Sequence, residues 1–449
     1  MTAPTRPESL PATATATIPT TTTTTSAGWR GGGWQGLAYG GLGFPLAFVA
    51  LPLYVILPNH YASEFGIPLA TLGALLLGAR LLDAVADPWI GRWVDGWFGA
   101  SARLLLAIAT AAAVVLALGF RGLFFPAVQG TNALLVWCAA LLAVTYLSYS
   151  VLTVLHQAWG ARLGGDEAQR ARIVSWREGL ALVGVLVASV LPSVAGLSVA
   201  SVVFAVLLAL GLALLARAPQ PRIGAAVGPR PGMALPLATP AFRRLLSIYL
   251  VNGVASAVPA TLVLFFIRDR LQAPSFEPLF LASYFAAGAL SMPLWLRLVA
   301  RLGLARTWLV GMVLAIVTFA WAALLGAGDV VGFTLVCIAS GVALGADLAL
   351  PGALLAGVIQ RAGHGQRLEG GYFGWWNFAT KLNLALAAGI ALPLLDQFGY
   401  APGGRDEASL QALTIAYCLL PCLLKLAAAA LLYICWIRPE QRSTHEGTP

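Results

Sequence analysis

GARLLDAVADPWIGRWVDG, residues 78–96, sets Arg80, Asp83 and Asp87 inside an apolar run that reaches from about residue 68 to residue 93. A run of that length is what a bilayer core of about 30 Å asks of a helix rising about 1.5 Å per residue. Spacings of three and four put the three ionisable groups on one helical face. Each would cost about 2.5–3.5 kcal/mol at bilayer depth on insertion scales, so the strip must turn away from lipid toward a cavity or a partner. One such helix implies a bundle around it.

The rest of the chain supplies that bundle. Of its 449 residues, 59% are hydrophobic and 10% charged, where a soluble globular protein has about 45–50% and about 25%. An ordinary soluble enzyme is excluded. Twelve apolar stretches follow one another at roughly 35–57, 68–93, 104–120, 132–157, 173–195, 197–216, 244–266, 278–299, 307–326, 330–359, 372–395 and 408–436, each with the length a crossing needs. Between the sixth and seventh lies PQPRIGAAVGPRPGMALPLATP, residues 219–240, whose Pro and Gly content interrupts the pattern and divides the chain six plus six. The expected fold class is an all-α membrane protein, with twelve transmembrane helices in two six-helix halves. The halves are expected at 35–217 and 243–437, with a disordered Thr-, Pro- and Ala-rich cytoplasmic tail over 1–34, a cytoplasmic linker at 218–242 and a second cytoplasmic tail at 438–449.

The formal charge of +9 reports basic loops in such a protein rather than a nucleic-acid partner. With the N-terminus inside, only Arg121, Arg268, Arg270 and Arg405 fall in outside loops, while Arg80, Arg177, Lys381 and Lys425 lie within helices. That bias places both ends in the cytoplasm. The five cysteines all lie in apolar runs and the four histidines are scattered, so neither a disulfide framework nor a metal cluster is readable. There is no phosphate-binding loop, and GGGWQG at Gly31 to Gly36 follows no strand, so nucleotide binding is not indicated. Two six-helix halves joined by a cytoplasmic linker form the architecture of major-facilitator transporters, in which the halves rock about a site near the bilayer midplane.

Asp83 and Asp87 offer oxygen ligands to a small hard cation, and two carboxylates this close also hold a proton. Either chemistry makes a coupling-ion site, for a proton or for sodium, with no cofactor and no other metal. The plain alternative is that Arg80 neutralises one aspartate and the trio ties helices together. Pro88 removes a helical hydrogen bond and bends the helix beside the site.

RLLDAVADPWIG, Arg80 to Gly91, resembles the R-x-x-D-A-x-x-D-P-x-x-G pattern of the glycoside-pentoside-hexuronide cation symporters, the family of the melibiose permease. WGARLGGDEAQRARIVSWREGLALVG, residues 159–184, is similar to that family's approach to its fifth helix, with Arg177 where an arginine is implicated in sugar contact. GADLALPGALLAGVIQ (345–360) and GQRLEGGYFGWWNFATKLNLALA (365–387) resemble its tenth and eleventh helices, with Lys381 at the position of a family lysine. The resemblance implies a symporter of the major facilitator fold that couples a cation to a sugar-like solute. The chain departs from the family pattern in four places. The first helix has no carboxylate and carries Pro45 about where one is expected. The fourth helix, from Asn132 to Gln157, has no acid, leaving Ser148, Ser150 and Thr153 as possible cation co-ligands. Ala86 replaces an asparagine, and Gly357 and Gln360 stand where many members have aspartates. These losses leave the cation site better supported than the sugar site, and the shortage of oxygen ligands favours a proton over sodium.

Other polar positions complete the candidate set. Lys381 and Asn377 share a helical face and are expected to serve the substrate or to compensate charge. Arg177, a few residues into its helix, either joins them or snorkels to the surface, and Glu178 is expected to face elsewhere. Asp347 is a gate or a structural anchor, and Lys425 a long stem reaching a polar neighbour. Trp375 and Trp376 read chiefly as interface anchors. Asp95, in GRWVDGWFG (91–99), can pair with an arginine or a helix N-terminus and act as a conformational latch. The function expected is cation-coupled symport of a small solute by a monomer in the bacterial inner membrane. The rival substrate is a lysophospholipid-like amphipath, and the rival class is a non-transporting assembly or sensor protein. No nucleophile with an adjacent base is readable, so an enzyme is not expected.

Overall fold

The computed structural model describes residues 29, 32–223, 232–400, 403–404 and 406–439. Most of the expected N-terminal tail, the middle of the linker and the C-terminal tail from residue 440 lie outside them. Among the described residues every regular element is a helix. Ten segments are long and apolar enough to cross a membrane. They are α1 Gly33–Phe65, α3 Ala102–Phe124, α4 Thr131–Arg162, the segment Glu167–Ala216, α7 Pro240–Arg270, α8 Pro274–Leu302, α9 Leu304–Ala322, α10 Val330–Arg361, α11 Glu369–Gln397 and α12 Glu407–Ile437. α2, Leu69–Phe98, matches them in length at 30 residues but carries Arg80, Asp83, Asp87, Arg92 and Asp95. Its charge, not its geometry, separates it from the other ten.

The 50-residue segment Glu167–Ala216 is two helices, because Gly196 sits at φ 81°, ψ 162°. Only glycine takes this backbone at little cost, and Pro192, one turn earlier, has already removed a helical donor. The chain reverses there. A Cβ on Gly40 of α1 would meet the Trp176 backbone, and one on the adjacent Gly41 would meet Leu214, so residues 176 and 214 lie at the same end of the bundle. The two parts, α5 (167–195) and α6 (197–216), bring the crossings to twelve. α5 starts six residues before the expected 173, since Asp166 and Gln169 form a reciprocal capping box at its N-terminus. α1 runs on past the expected 57 to Phe65, where Gly66 at φ 65° ends it.

Burial separates the two ends of the bundle. One apolar core takes in the first half along its length. It also includes the near ends of α7 to α12, among them Phe242, Trp295, Trp308, Leu354, Tyr372 and Trp436. A second core, with Phe266, Phe280, Phe333, Ala391 and Tyr417, belongs to the second half alone, at the opposite end. The halves are therefore fused where the chain enters and leaves the bundle, and separate where it does not.

Close approach of α2 and α11 makes that seal. A Cβ on Gly91 would lie 2.2 Å from the Gly370 carbonyl oxygen, and one on Gly374 would lie 2.5 Å from that of Asp87. Neither neighbour is a flexible side chain, so the contact requires glycine. Gly374→Val is expected to cost the sealed arrangement about 1–3 kcal/mol without affecting one in which the halves part at this end. In a cysteine-free background, Ala356→Cys on α10 should then react with maleimide several times faster. An unchanged labelling rate would show that the glycine contact does not hold the seal.

Candidate functional site

At mid-bundle α2 presents Asp83 and Asp87, α4 presents Ser150, and α11, from the other half, presents Lys381. Lys381 Nζ lies 2.7 Å from Asp83 Oδ2 and 2.7 Å from Asp87 Oδ2. It also donates to Ser150 Oγ at 2.8 Å, and Ser150 Oγ in turn donates to Asp83 Oδ1 at 2.6 Å. The three ammonium protons are thereby committed. Asp83 is 3% exposed and Asp87 0%, while the Lys381 side chain is 20% exposed, so two buried carboxylates share one partly exposed cation and the cluster is formally one positive charge short. The two acids are not equivalent. Asp83 has the serine hydroxyl, whereas neither oxygen of Asp87 has a hydrogen bond beyond its ion pair. Among the described residues no three His, Cys, Asp or Glu side chains converge, so a cation here would meet these two carboxylates, the Ser150 hydroxyl and the backbone oxygen of Asp83, which lies 3.5 Å from Lys381 Nζ.

Arg80 is not brought into this cluster. It lies one turn toward the unsealed end and stays exposed, its guanidinium carbon 4.1 Å from the centroid of Tyr54 on α1. Ser148 is buried on α4 outside the cluster, and Thr153 faces a separate cavity.

That cavity, of about 260 Å³, lies between the halves and is lined by α1, α4, α5, α7, α10 and α11. Arg177 is on its wall, not snorkelling to the surface. The earlier start of α5 puts it ten residues deep, about 15 Å along the helix and 9% exposed. Glu178, expected to face elsewhere, is its partner. Arg177 Nε and Nη2 donate to Glu178 Oε1 at 2.9 and 2.6 Å, because two long side chains can bridge consecutive positions that short ones cannot. Trp376 is also not an interface anchor, being 5% exposed and stacked on Tyr249 with ring centroids 3.8 Å apart. Asn377 and Gln157 add neutral polar groups to the wall, beside His156, Thr380 and Tyr149.

Asp347 reaches the cavity from α10 but is fully engaged. Its Oδ2 accepts from Lys425 at 2.6 Å and Ser256 at 3.1 Å. Its Oδ1 accepts from Asn252 at 3.0 Å and Trp308 Nε1 at 2.9 Å. The network ties α7, α9, α10 and α12 together, and it accounts for Lys425, which also donates to Asn252 Oδ1 at 2.9 Å. Both carboxylate oxygens are thus occupied by donors from three other helices.

At the sealed end Asp95 accepts from the backbone N–H groups of Gly370 and Gly371, both at 2.7 Å. These are free donors of the first turn of α11, so a carboxylate of the first half caps a helix of the second. Arg162 lies 3.3 Å from Asp95 and 3.0 Å from Glu369 Oε2. It also donates to the Gln366 carbonyl at 2.9 Å. A second crossing joins Glu167 Oε2 to the N–H of Leu304 at 3.0 Å and Arg170 to Gln360 at 3.0 Å. In the loop before α11, desolvation and then Arg367 hold His364 below its usual range, which leaves it neutral opposite the Tyr372 hydroxyl at 2.7 Å. Arg162 and Glu369 escape a reading of the sequence because no local spacing links either of them to Asp95.

Solved structures share this architecture. A bacterial homologue of the iron transporter ferroportin in an outward-facing state aligns with a TM-score of 0.65, at 17% identity, over 88% of this chain and 99% of its own. A single-residue variant of the Escherichia coli fucose:proton symporter FucP gives 0.65 at 14% identity over 88% and 98%. The human organic anion transporter MFSD10 gives 0.59 at 19% identity over 89% and 97%. At these identities the likeness establishes the major facilitator fold alone. The inner membrane symporter YicJ of Escherichia coli K12 is 30% identical over 134 residues, a stretch covering 29% of this chain and only 28% of that symporter. These relatives are membrane transporters, not enzymes. The family described as MFS/sugar transport protein matches residues 36–438, from the first crossing to the last, and the chain belongs to it.

Proposed function

We propose that the protein is a cation-coupled symporter that moves a small sugar-like solute by alternating access, with Asp83 and Asp87 as the coupling site. The observation that carries this reading is a single ammonium, Lys381, held at 2.7 Å from both buried carboxylates. The cluster is one positive charge short, and the acid without hydrogen bonds, Asp87, is where a cation gains most. Because Lys381 belongs to one half and the aspartates to the other, a cation taken up there changes the attraction between the halves. A ligand shifts such an equilibrium by its differential affinity for the two states. A proton can be taken up by one carboxylate oxygen with Lys381 in place, whereas sodium would have to displace the ammonium on which these oxygens converge, so the proton is the preferred ion. In the cycle the halves at 35–217 and 243–437 rock about the site, linked by 218–242. Both termini face the cytoplasm, in line with the basic-residue bias, and the membrane is the bacterial inner membrane, as in the symporter relative's name. A cavity of about 260 Å³ suits a compact solute better than a lysophospholipid-like amphipath.

Uphill uptake driven by an ion gradient should fall at least about tenfold, some 1.4 kcal/mol, in Asp83→Asn and in Asp87→Asn. Undiminished, still coupled uptake in these variants would move the coupling site elsewhere. Lys381→Met leaves two buried carboxylates without their cation and should cost about 3–5 kcal/mol of stability. Adding Asp87→Asn to it should recover part of that loss in thermal unfolding. If the double variant is no more stable than the single, Lys381 acts through packing rather than charge. The melting temperature of the native chain should respond to pH and not to sodium, lithium or potassium, since a ligand of the folded state raises it by mass action. A sodium-specific rise that disappears in the aspartate variants would make sodium the ion.

A further inference from the structure

Each charged side chain on the wall of the central cavity is already engaged. Arg177 donates twice to Glu178, and Asp347 is paired with Lys425 and held by three neutral donors. An anionic solute would find no free cation there, and a cationic one no free carboxylate. Binding either would mean breaking a desolvated ion pair and leaving one partner uncompensated.

The same wall offers neutral groups without partners. Gln157 Oε1 and Thr153 Oγ1 on α4, and Asn377 Nδ2 on α11, are shielded from solvent and have no hydrogen-bond partner. All three residues line the cavity. They provide an acceptor, a donor and a hydroxyl that can be either, drawn from both halves. A buried polar atom without a partner is costly, so each rewards a ligand hydroxyl that it meets when its side chain turns into the cavity. Trp376 and Tyr249, stacked at 3.8 Å, give the cavity apolar ring surface beside these groups. Its volume of about 260 Å³ lies below the roughly 300–1,000 Å³ of pockets that take drug-sized ligands, which leaves room for one ring with its hydroxyls and not for two.

We propose that the solute is a neutral polyol the size of a single sugar ring, and that Glu178, by occupying Arg177, excludes acidic counterparts such as uronates and sugar phosphates. This rests on the sugar-like reading above and narrows it by charge and size. Glu178 is a specificity-determining residue in this scheme, because it cancels the one guanidinium on the wall.

The test uses the purified full chain, with tryptophan fluorescence and thermal unfolding as readouts. The probes are a panel of neutral monosaccharides and inositols, the matching uronates, and disaccharides containing the same rings. At least one neutral single-ring probe should bind, while its uronate and its disaccharide do not. Gln157→Ala and Asn377→Ala should each weaken that binding about tenfold. Glu178→Gln, which frees the Arg177 guanidinium, should admit the uronate. If uronates or disaccharides bind the native chain as tightly as neutral rings, the charge and size selection is wrong while sugar transport stands. A folded Glu178→Gln variant that binds the neutral ring but still rejects its uronate would remove the role given to Glu178. If no sugar or polyol of any kind binds, the sugar-like reading itself falls. Should Glu178→Gln fail to fold, the native chain's preference between a neutral ring and its uronate still decides the matter.

Discussion

The whole arrangement turns on one ammonium shared by two carboxylates across the boundary between halves. Lys381 comes from α11 and the aspartates from α2, so the bond that neutralises the acids also holds the halves together at mid-bundle. Burying two carboxylates is expensive, and it is tolerable only while the geometry keeps each within reach of an opposite charge. The glycines at the α2–α11 crossing allow that reach by letting the two backbones touch. Further along α2, Asp95 caps the start of α11, so the helix that carries the lysine is located at its end as well as its middle.

The polar groups fall into two kinds with different work. Asp347, Lys425 and Asn252, with Ser256 and Trp308, engage one another and tie four helices of the second half together. Asp87, Gln157 and Asn377 have buried atoms left without hydrogen bonds. Within the cluster and the cavity, these are the atoms that a cation or a solute would complete.

The sequence displays the fold through the lengths of its apolar stretches and the break at the linker, and even the α5–α6 reversal falls between two of those stretches. It displays the coupling acids because charge in an apolar run is conspicuous. It does not display partners. Lys381 lies 298 residues from Asp83, and no local period relates them. The depth of Arg177 is hidden for a local reason, since Asp166 and Gln169 look like loop residues by polarity although their spacing is that of a capping box. Trp376 is hard to place because a tryptophan near a helix start looks the same whether it faces headgroups or a cavity. The pairing of Arg177 with Glu178 runs against a rule about backbone directions, which long side chains evade.

The reversal at Gly196 has a consequence for biogenesis. With a single non-helical residue between α5 and α6, there is no hydrophilic loop to be carried across the bilayer on its own. Two crossings joined this tightly favour entering the bilayer together, as a helical hairpin. A substitution that stiffens residue 196 toward helix would therefore be felt first in membrane insertion, as one continuous rod too long for the bilayer, before any transport step could reveal it.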